Sequence, residues 1–380
     1  MNALEQDIYV QLIELPPREQ LKREWLELEA RSESSFFTSW AWIGCWLACL
    51  PAHIQPRLLR ATRGKEVLGM GLAVSHNFRR YRVLPVKALF LHATGDPFFD
   101  EITIEHNGFL VDRTMAPAVI AQLFDHIVTR DGDWEELYLN GFTEITGTQL
   151  LSLTGLRVKR KQQCSYFVNL EEVRATGGDY LSLLGQNTRY NIRRSIKEYA
   201  KHGPMTLTVA ENIDQALEFL AGLKQLHQAY WQSRDKPGAF ANVFFESFHH
   251  SLIRTRFASG EIQLLRVTVG DRTLGYLYNF VHYGKVHNYQ SGFDYTVCEK
   301  KNRPGWVIHS LAVEYNATHG HTIYDFLAGD SDYKSALGLH SGKMEWIVLQ
   351  RKRFKFRLED ILLRIKRKFR TISLTRRQPS

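Results

Sequence analysis

The sequence is poor in cysteine and lacks long uninterrupted apolar stretches. None of its four cysteines, Cys45, Cys49, Cys164 and Cys298, forms a CxxC pair, and no histidine or cysteine follows them at zinc-site spacing. Free buried thiols are therefore favoured over disulfides, and we expect no bound metal. No window approaches the roughly 18 uncharged apolar residues needed to span a bilayer, so the sequence predicts no membrane-spanning helix.

The amino-terminal segment also lacks the basic start of an export signal, because residues 1–7 read MNALEQD. We therefore expect a cytoplasmic location. What the chain does contain is apolar material, since 44% of its 380 residues are hydrophobic and 12% are aromatic. That content fills a sizeable core and exceeds what one compact unit usually needs. The predicted division is an N-terminal domain over residues 1–170, a C-terminal domain over 171–350 and a tail over 351–380.

Positive charge is concentrated in the tail. Residues 351–380 contain twelve Lys or Arg and two acidic residues, a net charge of +10, whereas residues 1–350 carry about −1. Apolar residues recur there at helical spacing with basic residues between them, which predicts a basic amphipathic helix. The apolar positions are Phe354, Leu358, Ile361, Leu362, Ile365 and Phe369, and the basic ones are Arg364, Lys366, Arg367, Lys368 and Arg370.

Helices of this kind bind anionic lipid, so we favour contact with a membrane surface through residues 354–370. The alternatives are a docked terminal helix with a solvated end, and a helix that binds nucleic acid or a partner protein. Because nucleic-acid-binding proteins usually also carry positive charge on their folded face, we expect no nucleic-acid partner. The location would then be cytoplasmic and peripheral, on the inner face of the membrane.

A twelve-residue segment occurs twice. Residues 58–69 and 264–275 agree at seven of twelve positions with an offset of 206. Each segment has glycine where a hairpin turn is expected, follows an aromatic-rich helical stretch and precedes further strand, helix and strand. Chance similarity between two hairpins is the alternative, since glycine in turns and leucine in strands match easily. The surroundings favour two copies of one α/β unit.

Hydrophobic periodicity predicts the same order of elements in both copies. In the first copy, the predicted helices cover 18–31, 40–50 and 115–130, and the predicted strands cover 55–61, 66–75, 83–92 and 134–140. In the second copy, the predicted helices cover 213–232, 243–258 and 303–320, and the predicted strands cover 261–269, 273–281, 286–293 and 323–327. Between the copies, residues 188–203 predict a basic helix that either binds phosphate or faces water.

The part of the sequence richest in reactive groups follows the last of these strands. Gly329 frees the backbone there, so acidic, phenolic and ammonium groups cluster at one strand end. These groups belong to Asp325, Asp330, Asp332, Tyr333 and Lys334. The corresponding segment of the first copy, 137–142 (LYLNGF), has the strand but neither these acids nor a lysine. A functional site is therefore predicted in the second copy.

The order of helices, antiparallel meander, helix and strand resembles the GNAT acyltransferase superfamily, and the duplication resembles its double-domain branch. That branch includes CelD-type proteins associated with polysaccharide synthesis and FemXAB-type peptidoglycan aminoacyl transferases. The resemblance implies an α/β (α+β) fold of two tandem GNAT-like mixed-sheet domains with flanking helices. It covers about residues 30–350 and depends on 189–194 (RYNIRR), 227–234 (HQAYWQSR) with Phe240, 289–294 (YQSGFD), 303–305 (RPG), 324–330 (YDFLAGD) and 333–334 (YK).

The resemblance also implies a donor whose phosphates bind at the start of the helix after the central strands, where free N–H groups and the helix dipole favour an anion. Arg303 and Gly305 occupy that place with Lys301 nearby, and a solvated loop is the alternative. Acyl-CoA, with acetyl-CoA favoured, is the expected co-substrate. Because residues 299–306 contain fewer glycines than the usual GNAT phosphate loop, acyl carrier protein and aminoacyl-tRNA stay open as donors.

Amine acylation needs a base, support for an oxyanion and a proton for the leaving group. His227 is a candidate base because the pKa of histidine is ordinarily near neutral, and a packed core histidine is the alternative. Asp325 is the second candidate base, provided that burial raises its pKa. Tyr333 can donate a proton or support the oxyanion. Lys334 can neutralise negative charge, unless it only pairs with a neighbouring aspartate.

Five further residues are predicted to contact substrate. Arg234 and Tyr289 would orient a polar or acidic acceptor. Trp231 and Phe240 would stack on a sugar or line an acyl pocket, with a role in the core as the alternative. Asp294, which ends the 289–294 segment, completes the set.

These residues together predict an N-acyltransferase that acts on an amine of an envelope polysaccharide, an amino sugar or a lipid-linked precursor. No residue has the spacing of a nucleophile elbow, so direct attack within a ternary complex is expected. The second copy would be catalytic, and the first would complete the cleft. The alternatives are a FemXAB-like transferase that uses aminoacyl-tRNA, although no long coiled-coil insertion is visible, and a non-catalytic adaptor at the membrane surface.

Overall fold

The computed structural model describes residues 8–143, 155–297, 302–329 and 331–375, with side chains as far as residue 364. The first half of the chain forms β1 (Tyr9–Glu14), α1 (Arg18–Glu29), α2 (Trp40–Cys49), β2 (Arg57–Arg63), β3 (Glu66–Arg80), β4 (Leu84–Leu91), β5 (Leu110–Val111), α3 (Ala116–Thr129), β6 (Glu136–Thr143) and β7 (Leu156–Asn169).

A short helical segment joins the halves and contains α4 (Leu170–Ala175), α5 (Tyr180–Leu183) and α6 (Gln186–Tyr199). The second half forms β8 (Met205–Val209), α7 (Ile213–Gln232), α8 (Val243–Arg256), β9 (Ile262–Val269), β10 (Arg272–His282), β11 (Lys285–Phe293), α9 (Pro304–Thr318), β12 (Ile323–Ala328), α10 (Asp332–Leu337), β13 (His340–Arg351) and α11 (Phe354–Thr375).

All thirteen described strands belong to one mixed sheet. Its order is β1-β2-β3-β4-β6-β13-β7-β12-β11-β10-β9-β8, with β5 paired to β3. The last strand of each half is exchanged with the other half, because β13 lies against β6 while β7 lies against β12. Strands β7 and β13 also pair with each other along twelve residues at the centre of the sheet. The sheet thus continues across residue 170, and the domain boundary proposed there stays a prediction.

The internal repeat is confirmed as two equivalent hairpins. Strands β2 and β3 turn at Gly64, where φ is +60°, and strands β9 and β10 turn at Gly270, where φ is +53°. These two glycines are the same 206 positions apart as the repeated segments, and both adopt a backbone conformation that glycine reaches without a steric penalty. Each hairpin is followed by a third antiparallel strand, a helix and a parallel strand.

Several helices begin where short polar side chains can cap them. The Asn212 side chain accepts a hydrogen bond from the Gln215 N–H at the start of α7, and Asn242 accepts from Phe244 and Phe245 at the start of α8. The predicted bounds of α7 agree with the structure, and those of α8 end two residues late. Strands β1, β5, β7, β8 and β13 were not predicted, because charged residues interrupt the alternation in β7 and β13, and the other three strands are short.

Aromatic side chains join the two halves on one side of the sheet. Helix α2 reads WAWIGCWLAC, and its first seven residues are buried. The Phe36 ring stacks on Phe280 with centroids 4.3 Å apart, and Trp42 packs edge-on to Phe248 at 4.8 Å. Aromatic pairs of this geometry add about 0.5–1.5 kcal/mol each beyond the burial of their area. The N-terminal half is therefore packed firmly against the second half.

Helix α11 confirms the predicted helix in the tail and docks by its first turns on the first half. Phe356 is only 2% exposed and joins a cluster beneath β4. The Glu359 carboxylate lies 3.0 Å from the Arg80 guanidinium, and the Lys355 ammonium lies 2.6 Å from Glu135. No helix among the described residues is both long and apolar enough to cross a membrane.

The buried Glu29 side chain at the end of α1 should make the stability of the fold depend on pH. Its carboxylate accepts the Trp40 N–H at 2.7 Å, and burial raises the pKa of Glu29 from 4.5 to about 7. Because the pKa of Glu29 is higher in the folded state than in the unfolded state, protonation of Glu29 favours folding. The stabilisation is complete below about pH 4.5 and is lost as the pH rises through 7.

We expect the free energy of unfolding to fall by about 3 kcal/mol between pH 4.5 and pH 8 through this residue. Urea unfolding of Glu29→Gln should lack that part of the pH dependence, because the amide does not titrate. Exposed Glu19 on the same helix supplies the matched control, Glu19→Gln. Parallel pH profiles for the original protein and Glu29→Gln would contradict the assignment.

Candidate active site

The central feature of the site is a split between strands β11 and β12. These parallel strands pair at only three positions, the last of which joins His287 to Asp325, although β11 continues for six more residues. Strand β12 bulges immediately afterwards, where Leu327 adopts a φ of +61°. The Asp325 carboxylate accepts the Leu327 N–H at 2.7 Å and so holds the bulge. The two strands separate beyond this point.

A cavity of about 240 Å³ occupies the opening. The second half contributes most of its wall, and the first half contributes acidic residues from the segment before β5. The lining comprises Glu101, Thr103, Glu105, Ala239, Asn288, Tyr289, Gln290, Ser291, Leu327, Tyr333 and Lys334. Three predicted site residues, Tyr289, Tyr333 and Lys334, therefore meet at one cavity.

Helix α10 places Tyr333 and Lys334 on the cavity wall. The Tyr333 ring stacks on His309 with centroids 5.4 Å apart and planes inclined by 10°. Burial raises the pKa of Tyr333 far above its usual value, so the phenol keeps its proton. The Lys334 ammonium donates to the carbonyl oxygens of Leu327 at 3.3 Å and Ala328 at 2.6 Å. Lys334 thus brings positive charge to the cavity and satisfies carbonyls at the bulged strand end.

Asp325 lies behind the cavity wall in a cluster of histidines. Its Oδ2 atom is 2.8 Å from His106 Nε2 and 3.8 Å from His287 Nδ1. Burial by itself would raise the pKa of Asp325, but the two histidines outweigh it and hold that pKa far below the usual range. The condition under which Asp325 was a candidate base, a pKa raised by burial, is not met, because His106 of the other half of the chain lies beside it. Asp325 stays ionised and positions its neighbours.

Four ionisable groups of the site were missed from the sequence, namely Glu101 and Glu105 at the cavity and His106 and His287 behind its wall. Glu105 lines the cavity and accepts the Ala328 N–H at 2.6 Å. Burial raises the pKa of Glu105, although Lys334 and the Ala328 N–H oppose the rise. His106, with a φ of +45°, reaches Asp325 across the interface. Glu105 and His106 lie about 220 positions before Asp325 in a segment without regular periodicity, so no sequence signal indicated that they contact the region of Asp325.

The equivalent place in the first half is partly filled, and a smaller cavity of about 180 Å³ remains there, with His92, Ala93 and Asn140 in its lining. Strands β4 and β6 also pair in parallel at three positions, but the last pair is Phe90 and Tyr138, whose rings stack at 4.4 Å. Asn107 then fills the space beyond, since its side chain donates to the Leu91 and Asn140 carbonyls and its N–H donates to Gly141. The segment that fills this split also carries Glu105 and His106 to the second half.

His227 is occupied within its own helix. Its Nε2 accepts from the Trp231 indole at 2.9 Å, and its Nδ1 lies 3.2 Å from the Gln228 side-chain oxygen. The Phe240 ring packs edge-on at 5.3 Å, and burial lowers the pKa of His227. Neither His227, Trp231 nor Phe240 is among the described residues that line the cavity. These contacts match the packed-core alternative for His227, and its role as a base stays untested.

The other predicted contacts are spread over the surface of the second half. The Arg234 guanidinium lies 3.7 Å above the Tyr230 ring on the exposed surface. Asp294 accepts the N–H and hydroxyl of Thr296, both at 2.7 Å, and lines a different cavity of about 550 Å³. The structure therefore separates Arg234 and Asp294 from the cavity at the strand split.

The predicted donor-phosphate site lies at the start of α9. Exposed Arg303 stacks on Trp306 at 4.0 Å, and a side chain at Gly305 would meet the Phe293 ring at 2.8 Å. Gly305 is thus required for the packing of α9 against β11. Lys301 and Asp330 lie outside the described residues.

Comparisons with known proteins agree with this geometry. Residues 186–335, which include the split strands, match the family model of the acetyltransferase (GNAT) domain. The sequence matches none of the curated proteins. Among solved structures, FemX is similar with a TM-score of 0.57 and 12% identity, over 89% of this chain and 96% of FemX.

Two further structures are similar. The C-terminal domain of a putative lysylphosphatidylglycerol synthetase from Agrobacterium fabrum aligns with a TM-score of 0.52 and 9% identity, over 91% of this chain and 95% of that domain. L-PGS from Bacillus licheniformis aligns with a TM-score of 0.51 and 11% identity, over 93% and 97% of the two chains. The expected GNAT-type, FemX-like fold is confirmed.

Proposed function

We propose that this chain, a transferase of the GNAT type, moves an acyl group from a thioester donor to an amine on an envelope polysaccharide, an amino sugar or a lipid-linked precursor. The observation that carries the proposal is the opening between β11 and β12, where a polar cavity brings Glu105, Tyr333 and Lys334 together. The name of one structural neighbour, lysylphosphatidylglycerol synthetase, refers to an aminoacylated lipid and favours a lipid-linked acceptor.

The acceptor amine would enter the acidic side of the cavity. Glu101 and Glu105 attract an ammonium group, and Glu105 is held in place by the Ala328 N–H. Glu105 then takes the proton that the amine must lose before it attacks, which is general base catalysis. This assigns the acidic side of the cavity, including the base, to the first half of the chain, and Tyr333 and Lys334 to the second half.

The thioester carbonyl would lie beside Tyr333 and Lys334. When the nitrogen attacks, the N–C bond forms and negative charge develops on the carbonyl oxygen. The neutral Tyr333 hydroxyl and the Lys334 ammonium stabilise that charge in a site partly shielded from water. After the attack, the nitrogen carries a second proton that it must lose, and this proton passes to the departing thiolate as the C–S bond breaks. The proton that Glu105 took from the ammonium group is released to water, so the reaction is balanced without a covalent enzyme intermediate.

Acyl-CoA is the proposed donor, with acyl carrier protein and aminoacyl-tRNA as alternatives. Its phosphates would bind at the start of α9, close to Arg303. Basic helix α6 lies beside that place, since the Arg303 N–H is 3.4 Å from the Ser195 hydroxyl of α6. The backbone N–H groups at a helix start favour an anion.

Thermal-shift measurements test the donor. Acetyl-CoA or a longer acyl-CoA should raise the melting temperature, because a ligand at a hundred times its Kd stabilises the folded state by about 2.7 kcal/mol. Arg303→Ala should reduce the shift, whereas Lys65→Ala in the exposed β2–β3 turn should keep it. Stabilisation by aminoacyl-tRNA alone would favour the FemXAB-like alternative, and no stabilisation by any donor would favour an adaptor.

Kinetics test the chemistry. Glu105→Gln should lower kcat by about 100-fold or more, because the amide keeps its shape but cannot take a proton. It should also raise the KM for the amine, because the amide no longer attracts the ammonium group, and leave the KM for the thioester unchanged. The double variant Tyr333→Phe, Lys334→Ala should be similarly impaired, whereas Glu66→Gln at the exposed start of β3 should retain full activity. Full activity in either site variant, or an acyl-enzyme trapped in a single turnover, would contradict the mechanism.

Helix α11 supports a location at an anionic membrane surface. The face opposite Phe356 is exposed and apolar, with Phe354 at 80%, Ile361 at 54% and Leu362 at 58% exposure. Exposed basic residues flank it, namely Lys352, Arg353, Arg357 and Arg364. An apolar face bordered by positive charge is complementary to anionic lipid headgroups and the acyl boundary beneath them.

Vesicle co-sedimentation tests this surface. The double variant Ile361→Glu, Leu362→Glu should bind phosphatidylglycerol vesicles about tenfold more weakly or worse, because two apolar side chains supply on the order of 2 kcal/mol. Leu26→Glu, at an exposed position of α1, should bind normally. Binding of the unaltered chain that is equally strong to neutral vesicles, or unchanged in the double variant, would exclude this surface.

A further inference from the structure

Three potential metal ligands meet behind the cavity wall. His106 comes from the segment before β5, His287 from β11 and Asp325 from β12, and one ligand atom of each lies within 4.8 Å of the others. Asp325 Oδ2 is the shared atom, at 2.8 Å from His106 Nε2 and 3.8 Å from His287 Nδ1. The acyl-transfer chemistry described above does not use this cluster directly.

Hydrogen bonds within the cluster do not account for the buried imidazole of His287. The residue is 4% exposed, and neither ring nitrogen has a hydrogen-bond partner among the described residues. Its Nδ1 atom is too far from Asp325 for a hydrogen bond. A buried polar group without a partner costs about 1–3 kcal/mol, and native proteins contain few of them. Something that accepts the lone pair of His287 is therefore expected beside Asp325.

The spacing of the cluster suits one tetrahedral ion. Zinc binds imidazole nitrogen and carboxylate oxygen at about 2.0–2.2 Å, which places neighbouring ligand atoms about 3.3 Å apart. The two distances from Asp325 Oδ2, 2.8 Å and 3.8 Å, lie on either side of that value. Small shifts of the histidine rings would complete the geometry.

A surrounding contact orients the carboxylate of the cluster. The other oxygen of Asp325 accepts the Leu327 N–H, which leaves Oδ2 directed at the histidines. Hydrogen bonds of this outer kind orient carboxylate ligands in metal sites. The His106 carbonyl accepts the Ser35 hydroxyl at 2.8 Å, which anchors the backbone at that residue.

We propose that His106, His287 and Asp325 bind one divalent transition-metal ion, with Zn²⁺ the best match to two imidazoles and a carboxylate. This departs from the sequence-based expectation of no metal, which considered the spacing of cysteines. The proposal is independent of the proposed reaction. An ion at this position would join the two halves of the chain directly behind the wall of the cavity.

Metal binding to the full-length chain tests the proposal. After treatment with a chelator, titration calorimetry with Zn²⁺ should show one equivalent bound per chain. His287→Gln and His106→Gln should each weaken binding by more than the roughly 10–100-fold that loss of an outer-shell partner costs, because each removes a direct ligand. His340→Gln should not weaken it, because His340 is half-exposed and paired with Glu172. Circular dichroism of each variant establishes that it is folded.

X-ray absorption of the unaltered zinc-loaded protein gives a second readout that needs no variant. It should show two imidazoles and one carboxylate oxygen around zinc. Absence of a stoichiometric zinc site, equal zinc affinity in the His287→Gln and His106→Gln variants, or a ligand shell that contains sulfur would each overturn the proposal. In those cases His106 and Asp325 form an ion pair alone.

Discussion

The carboxylate of Asp325 is the group on which the shape of the site depends. One oxygen accepts the Leu327 N–H and the other faces His106, so a single side chain holds two residues with positive φ values. Non-glycine residues in that conformation cost on the order of 1 kcal/mol each and persist only where the surroundings hold them. The backbone conformation of Leu327 lies where strands β11 and β12 separate, and that of His106 places the adjacent Glu105 at the cavity wall. The separation of β11 from β12 and the position of Glu105 thus both depend on Asp325.

The two copies of the unit differ because one chain segment serves both. In the first copy, stacked Phe90 and Tyr138 end the parallel pairing and Asn107 fills the space beyond. In the second, His287 and Asp325 occupy the corresponding pair, and the strands separate. The segment that partly fills the first split supplies Glu105 and His106 to the second. The first copy therefore keeps the smaller cavity, about 180 Å³ against about 240 Å³, although the folds of the two copies are equivalent.

The exchange of terminal strands explains why the halves act together. Strand β13 lies between β6 and β7, so each half is completed by a strand of the other. Helix α11 follows directly from β13 and docks on the first half, where Arg80 links Glu136 of β6 to Glu359. The apolar face of this helix is thereby held at a defined position relative to the sheet that carries the cavity.

The sequence by itself determined most of the local structure. Apolar periodicity located helix α7, the internal repeat located the paired hairpins, and the cluster of groups after β12 pointed to Tyr333 and Lys334 at the cavity. These signals lie within a few residues of one another, where spacing along the chain fixes distance in space. Only the tertiary structure decided that Glu105 and His106 join the site and that Asp325 stays ionised. Those outcomes depend on contacts between distant segments, because a carboxylate's pKa reflects the charges that folding brings beside it rather than its neighbours in sequence.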